Sequence, residues 1–384
     1  MARISRIKMR RRSIGIPEIQ AAAVCPTRHS SPVFIREIRA IRGFPLEPVV
    51  LIRDFGLTGA TNVGPTRRRT PVALAHYSAD DRVGKSVACG MPNHKDQERI
   101  GVIGLGLMGT ALVERLLEHG FRVAVWNRSR EKSVPLIARG AEWSDNPLTD
   151  CQRVIISLYT TDVVEAVLAE LDAGLHEGQI LIDTTTGESV QTAALGARLA
   201  ARGVRYIDAP ISGSSQQTRA GEATVMVGGD DVTFAACADL WRVMGRKVFH
   251  VGACGSASRM KLISNLVLGL NRAALAEGLA FAEALGVSPA AALEVMAGSP
   301  AYSRAMDVKG RKMVDRDFSV QARLSQHLKD VRLMLDAARA AGLALPLTET
   351  HRRLMEQAEA AGLGDQDNSA IIEVLRAPKP SPAS

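Results

Sequence analysis

Residues 99–128 read RIGVIGLGLMGTALVERLLEHGFRVAVWNR. Ile100 to Ile103 is a short apolar run, the pattern of a buried strand. It leads directly into Gly104-Leu105-Gly106-Leu107-Met108-Gly109, which fits G-x-G-x-x-G. Ala111, Leu112, Leu116 and Leu117 then recur at helical spacing as far as His119-Gly120, where the glycine stops the helix. Phe121 to Trp126 is a second strand. Strand, glycine turn, helix and strand make one βαβ unit. Each glycine has a task in such a unit. Gly104 permits the tight turn, Gly106 lets the backbone approach a pyrophosphate, and Gly109 lets helix and strand pack closely. The free N–H groups and positive end of the helix then face the phosphates. Leu105 and Met108, inside the loop, are read as cofactor contacts with these glycines.

The 384 residues are enough to bury a sizeable core. Apolar residues make up 46% and charged residues 23%, as in globular proteins. No apolar run reaches about 18 residues, so no membrane span is expected. The five cysteines are scattered without a C-x-x-C, which argues against a disulfide framework and for a reducing compartment such as the cytoplasm. No His/Glu/Asp cluster has metal-ligand spacing, so no metal is expected. The net charge of +8 is unevenly spread. Residues 1–90 hold 16 Lys and Arg against 6 Asp and Glu, a balance of +10, and the rest holds 32 against 34, a balance of −2. The remainder is near neutral, so no nucleic-acid partner is expected of it.

The pattern divides the chain into four parts. Residues 1–97 carry Arg10-Arg11-Arg12 and Arg67-Arg68-Arg69 without sustained periodicity. They read as a basic, disordered extension, with the working protein beginning near Met91. Residues 98–256 alternate strands and helices, which predicts a doubly wound, mostly parallel sheet of the Rossmann type. Within them Val232 to Met244 reads as one helix. After Gly255 the strands stop, and residues 257–376 read as all-helical. The region opens with a helix from Ser258 to Leu285, apolar on most sides and therefore expected to be buried. Residues 377–384 form a proline-rich tail.

Three stretches beyond the glycine loop carry chemistry. Lys261 and Asn265 stand at i and i+4 near the start of the long helix and share a face. A lysine at the mouth of a nucleotide-binding sheet can protonate a carbonyl oxygen, provided burial or nearby charge lowers its pKa. Ser212-Gly213-Ser214 follows a strand C-terminus, where hydroxyls and an N–H suit a carboxylate. Asn127-Arg128 closes the second strand of the βαβ unit. An acidic residue there would bind the ribose of NAD, whereas an arginine pairs with a 2′-phosphate, so NADP(H) is expected over NAD(H). His327 is read as structural; Lys329 and Asp330 after it could reach the cofactor or substrate.

Taken in order, GLGLMG at 104–109, DAPISGS at 208–214, GSASRMKLISN at 255–265, LKDVRLMLDAA at 328–338, LPL at 345–347 and GLGDQDNSA at 362–370 make the chain resemble the β-hydroxyacid dehydrogenase family. VWNR, SGS and the KLIxN pattern resemble its glyoxylate/succinic semialdehyde reductase branch. The resemblance implies Lys261 as proton donor, Asn265 as its helper, Ser212 and Gly213 as carboxylate contacts, Thr186 and Lys329 on the cofactor side, and Asp330 as an orienting residue. It implies a small carboxylate substrate and a homodimer or homotetramer formed through the helical region. Ala257 and Ala322 depart from it, standing where the family usually has glycine and where the branch has phenylalanine. Imine-reducing and chromatin-type relatives are the rivals, and both usually lack the lysine.

Overall fold

The computed structural model describes residues 75–78 and 98–376. The remainder of the expected extension, and the expected tail at 377–384, lie outside the described residues. Among the described residues ten strands form one sheet: β1 (Ala75–Ser78), β2 (Arg99–Ile103), β3 (Arg122–Trp126), β4 (Glu142–Trp143), β5 (Arg153–Ile156), β6 (Ile180–Asp183), β7 (Arg205–Asp208), β8 (Ile211–Ser212), β9 (Thr224–Gly228) and β10 (Lys247–Gly252). Their spatial order is β1-β10-β9-β7-β6-β5-β2-β3-β4, with β8 paired to β9. The six strands from β4 to β7 are parallel. From β2 the chain moves outward to β3 and β4, then returns to β5 on the other side of β2. That reversal opens a crevice at the carboxyl ends of β2 and β5, where open α/β sheets bind ligands.

Both faces of the sheet are covered. Helix Leu107–Glu118 packs Leu112 and Leu116 onto one face. Helices Thr161–Glu170 and Ser189–Ala200 pack Val164, Leu168, Leu195 and Leu199 onto the other. Leu112, Leu116, Ile155 and Leu181 are almost fully buried, each worth about 1.5–3 kcal/mol. The sheet is thus a rigid platform whose upper edge holds the loops of interest. Beyond β10 the chain is helical, arranged around the helix Ser256–Ala284. Leu275, Leu279, Met313, Leu328, Val331 and Met355 form this second core.

Three expectations need correction. Residues 75–78, assigned above to the extension, form an antiparallel edge strand on β10. Four residues are too few to show an alternating pattern, and the exposed edge of β10 supplies the pairing. The stretch Val232 to Met244 is two helices, Asp231–Ala236 and Ala238–Met244, broken at Cys237. The Trp241 indole N–H donates to the Phe234 carbonyl at 2.8 Å, taking the acceptor that a continuous helix would use for its own ladder. The long helix is also not buried on most sides. Ile263, Val267 and Phe281 are more than half exposed, so one apolar stripe faces outward. No helix among the described residues is long and apolar enough to cross a membrane.

Candidate active site

The glycine loop is built as the motif requires. Gly104 has φ +98°, and a Cβ there would lie 2.3 Å from the Ser157 carbonyl oxygen of the neighbouring strand end. A Cβ on Gly109 would lie 1.8 Å from the Gly104 carbonyl. A Cβ on Gly106 would meet nothing within 4 Å. So Gly104 and Gly109 are glycines for internal packing, while Gly106 borders open space at the N-terminus of helix Leu107–Glu118. No side chain caps that helix. Free N–H groups beside an uncluttered glycine are what a pyrophosphate needs. The residues present therefore fit a dinucleotide.

The structure gives several expected cofactor residues a supporting role. Asn127 Oδ1 accepts a hydrogen bond from Leu105 N at 2.9 Å, and its Nδ2 donates to the Ser129 carbonyl at 2.9 Å. Its amide thus ties the glycine loop to the turn after β3. Arg128 is exposed on that turn, and Arg130 stacks 4.9 Å over the Trp143 ring. Met108 reaches toward Thr218, its sulfur 3.9 Å from the hydroxyl, and so joins the glycine loop to the helix after Ser214.

Lys261 and Asn265 lie on the buried face of the long helix, each about 5% exposed. The start of that helix is fixed from the sheet. Asp208, the last residue of β7, accepts hydrogen bonds from Gly255 N at 2.8 Å, Ser258 N at 2.8 Å and Ser258 Oγ at 3.1 Å. Its register partner Asp183 ends β6 and accepts from Thr185 N at 2.9 Å and the Tyr206 hydroxyl at 2.5 Å. Burial lifts the Asp183 carboxyl to about 6.

Asp330, on helix Leu324–Ala340, completes the cluster. Its Oδ2 accepts from Asn265 Nδ2 at 3.0 Å, and its Oδ1 lies 3.1 Å from Lys329 Nζ. Lys329 Nζ also donates to the carbonyls of Thr186 at 2.7 Å and Tyr159 at 2.9 Å. One lysine of the helical region thus clasps the loops after β5 and β6, at the rim of the sheet. Burial lowers the Lys261 ammonium to about 8, with Asp330 opposing the shift and Lys329 adding to it. Burial raises the Asp330 carboxyl, against the pull of Lys329 and Lys261.

In the loop after β8, Ser214 caps the helix Ser215–Arg219. Its Oγ accepts from Gln217 N at 3.2 Å, and its own N–H donates to Gln217 Oε1 at 2.9 Å. That leaves the Ser214 hydroxyl proton to donate elsewhere. Ser212 is half-buried at the end of β8. Motif spacing missed Asp208, although β6 and β7 both end in Ile-Asp, a repeat visible in the sequence.

Two family models match the chain. The NAD-binding domain of 6-phosphogluconate dehydrogenase covers residues 99–252, and the NAD-binding domain of NADP-dependent 3-hydroxyisobutyrate dehydrogenase covers 255–375. The 2-(hydroxymethyl)glutarate dehydrogenase of Eubacterium barkeri is 30% identical over 283 residues, spanning 72% of this chain and 94% of that protein. The chain belongs to the β-hydroxyacid dehydrogenase family. Glyoxylate/succinic semialdehyde reductase 2 of Arabidopsis thaliana is 27% identical over 83% of this chain and 90% of that protein. A 3-hydroxyisobutyrate dehydrogenase from Mycobacterium tuberculosis, solved with L-serine, superposes with TM-score 0.67 at 26% identity, covering 73% of this chain and all of that one. As a β-hydroxyacid dehydrogenase the chain is an NAD(P)-binding oxidoreductase with a Rossmann-type sheet and an all-helical C-terminal region.

Proposed function

We propose that this β-hydroxyacid dehydrogenase is an NADPH-preferring reductase of small aldehyde or keto acids. The observation that carries the reading is the buried Lys261, brought to about 8, beside an Asn265 amide that Asp330 holds. An ammonium poised near neutral pH can give up a proton and regain it, as general acid catalysis requires. When bound, the nicotinamide supplies the hydride. Lys261 gives its proton to the oxygen of the substrate carbonyl as charge develops there. Asn265 has its Nδ2 committed to Asp330, so its Oδ1 faces the reaction as an acceptor and orients the ammonium. Ser212, the Gly213 N–H and the Ser214 hydroxyl proton hold the substrate carboxylate. Lys329 and the Thr186 carbonyl fix the rim beside the nicotinamide.

For the cofactor, the exposed Arg128 meets the 2′-phosphate, and no carboxylate occupies its position or that of Asn127. The substrates named for the relatives support a small carboxylate substrate: succinic semialdehyde and glyoxylate in one, 2-(hydroxymethyl)glutarate in another. Lys261 stands against the imine-reducing and chromatin-type readings. We place the boundary between the nucleotide-binding and helical parts at 256/257, and the protein in the cytoplasm as a dimer or tetramer. The exposed stripe of Ile263, Val267 and Phe281 supports association along the long helix. The test is steady-state turnover of a panel of aldehyde acids, keto acids and cyclic imines, with NADPH and with NADH. Turnover of imines alone, or of nothing while cofactor binds, overturns the reading.

A further inference from the structure

The buried face of the long helix continues beyond the reaction centre. Lys261, Asn265, Gly269 and Arg272 follow one another at spacings of four, four and three, and Arg272 is 3% exposed. Gly269 has no room for a side chain. A Cβ there would lie 2.6 Å from His327 Nε2 and 2.8 Å from His351 Cε1. The two imidazoles converge on this glycine from different helices, with ring centroids 5.4 Å apart and planes tilted by 48°. His327 is one turn before Asp330 on its own helix.

What sets this cluster apart is unmet hydrogen bonding. Arg272 Nε and Nη2, His327 Nε2 and His351 Nε2 are all buried without a hydrogen-bond partner among the described residues. Nε and Nη2 form one edge of the guanidinium, the fork that grips both oxygens of a carboxylate. The carboxylate that Arg272 senses is Asp367, and that group is already engaged. Lys309 Nζ lies 2.8 Å from both Asp367 oxygens, and Gln321 N, Ala322 N and Ser369 also donate to it. Burial and the charge of Arg272 hold both imidazoles neutral, His351 at about 3 and His327 well below its usual value. Burial disfavours a guanidinium whose donor edge is unpaired, and native cores seldom leave such donors empty.

We propose that Arg272, His327 and His351 form a buried receptor for a small carboxylate, gripped by the Nε/Nη2 edge of Arg272 and flanked by the two imidazoles. The carboxylate comes either from the far end of a dicarboxylic substrate or from a free small acid bound beside the substrate. Eleven residues separate Lys261 from Arg272, about 16 Å along the helix axis at 1.5 Å per residue. A substrate tail must therefore be long to reach the receptor. The tail source rests on the reductase reading given above; the free-acid source does not.

The experiment has two arms, each comparing the wild type with R272M. In the first, sodium formate is titrated while the melting temperature is followed. Formate at ten times its Kd should raise the wild-type Tm by about 2–3 °C beyond any rise in R272M. In the second, kcat/KM with NADPH is measured for glyoxylate and for the semialdehydes of succinic, glutaric, adipic and suberic acids. A tail in the receptor gives a preference for one longer acid, and the ratio of that acid to glyoxylate falls at least 10-fold in R272M. A formate response without a chain-length response assigns the site to a free acid, and a chain-length response assigns it to the substrate. If R272M does not fold, R272K keeps the charge without the fork and should lose the same response. No differential formate shift and an unchanged chain-length ratio in these variants overturn the proposal. If no carbonyl acid is turned over, the reductase reading fails and the formate arm alone decides this one.

Discussion

The carboxylate of Asp208 accepts both the backbone N–H and the hydroxyl of Ser258, three residues before Lys261. A strand end of the sheet therefore sets the first turn of the helix that carries Lys261. The position of Lys261 relative to the glycine loop is inherited from the sheet, through one buried side chain.

Replacing Asp208 by alanine should damage stability and rate together. It removes three acceptor contacts and leaves the N–H groups of Gly255 and Ser258 unpaired in the interior. Losing a cap and hydrogen bonds to a charged group costs about 2–4 kcal/mol. Urea unfolding should report that loss, and kcat should fall more than 10-fold as Lys261 loses its anchor. D208N keeps one acceptor oxygen and should lie between. Wild-type stability in D208A would mean that the long helix is held by its packing alone.

The glycine loop separates packing from binding. A Gly109→Ala substitution puts a methyl 1.8 Å from the Gly104 carbonyl, a contact that forces the loop apart. The melting temperature should drop by several degrees. Gly106→Ala has open space for its methyl, so its melting temperature should stay within about 2 °C of wild type. The same methyl enters the path of a pyrophosphate, and the NADPH Kd should rise at least 10-fold in a fluorescence titration. Unchanged affinity in G106A would remove this loop from the cofactor site.

How far the sequence could be read follows from the range of the interactions. The glycine loop, the Lys261–Asn265 pair and the alternation of strands and helices are local patterns, so they stand in the text of the chain. The two-residue strands β4 and β8 are too short to show a period. The break at Cys237 depends on where the Trp241 indole turns. Asp208 and Asn127 were visible as residues, but their roles are tertiary: one caps a helix 50 residues on, the other braces a loop 22 residues back. His351 stands 79 positions after Arg272, and no motif links them.

Cofactor choice should turn on Arg128. A charge-assisted contact to a phosphate is worth about 1.5–3 kcal/mol, or roughly 10- to 150-fold in kcat/KM. The wild type should prefer NADPH by a factor in that range. Arg128→Asp repels the 2′-phosphate and should reduce or reverse the preference, with little change in melting temperature because the side chain is exposed. Equal efficiency with both cofactors in the wild type would defeat the expectation.

Lys261 should show itself in the pH dependence of both rate and stability. With its ammonium brought to about 8, reduction needs the protonated form, so kcat for reduction should fall as pH rises through 8. Oxidation of the matching hydroxy acid needs the neutral amine, so its kcat should rise through the same pH. The stability effect has a definite sign. The unfolded lysine keeps its proton up to about 10.5, whereas the folded one releases it near 8. Between those values the unfolded state binds more protons, so this group makes stability rise with pH, at up to about 1.4 kcal/mol per pH unit. Lys261→Met should abolish that rise and raise stability at pH 7, where the wild type holds a buried charge. The same variant should lose about 10²- to 10⁴-fold in kcat while still binding NADPH, because the proposed phosphate contacts lie at the glycine loop. Lys261→Arg should not recover the rate, since a guanidinium does not release its proton in this range. Near-wild-type kcat in Lys261→Met would remove Lys261 as the proton donor. Lost NADPH binding would instead make it a cofactor residue.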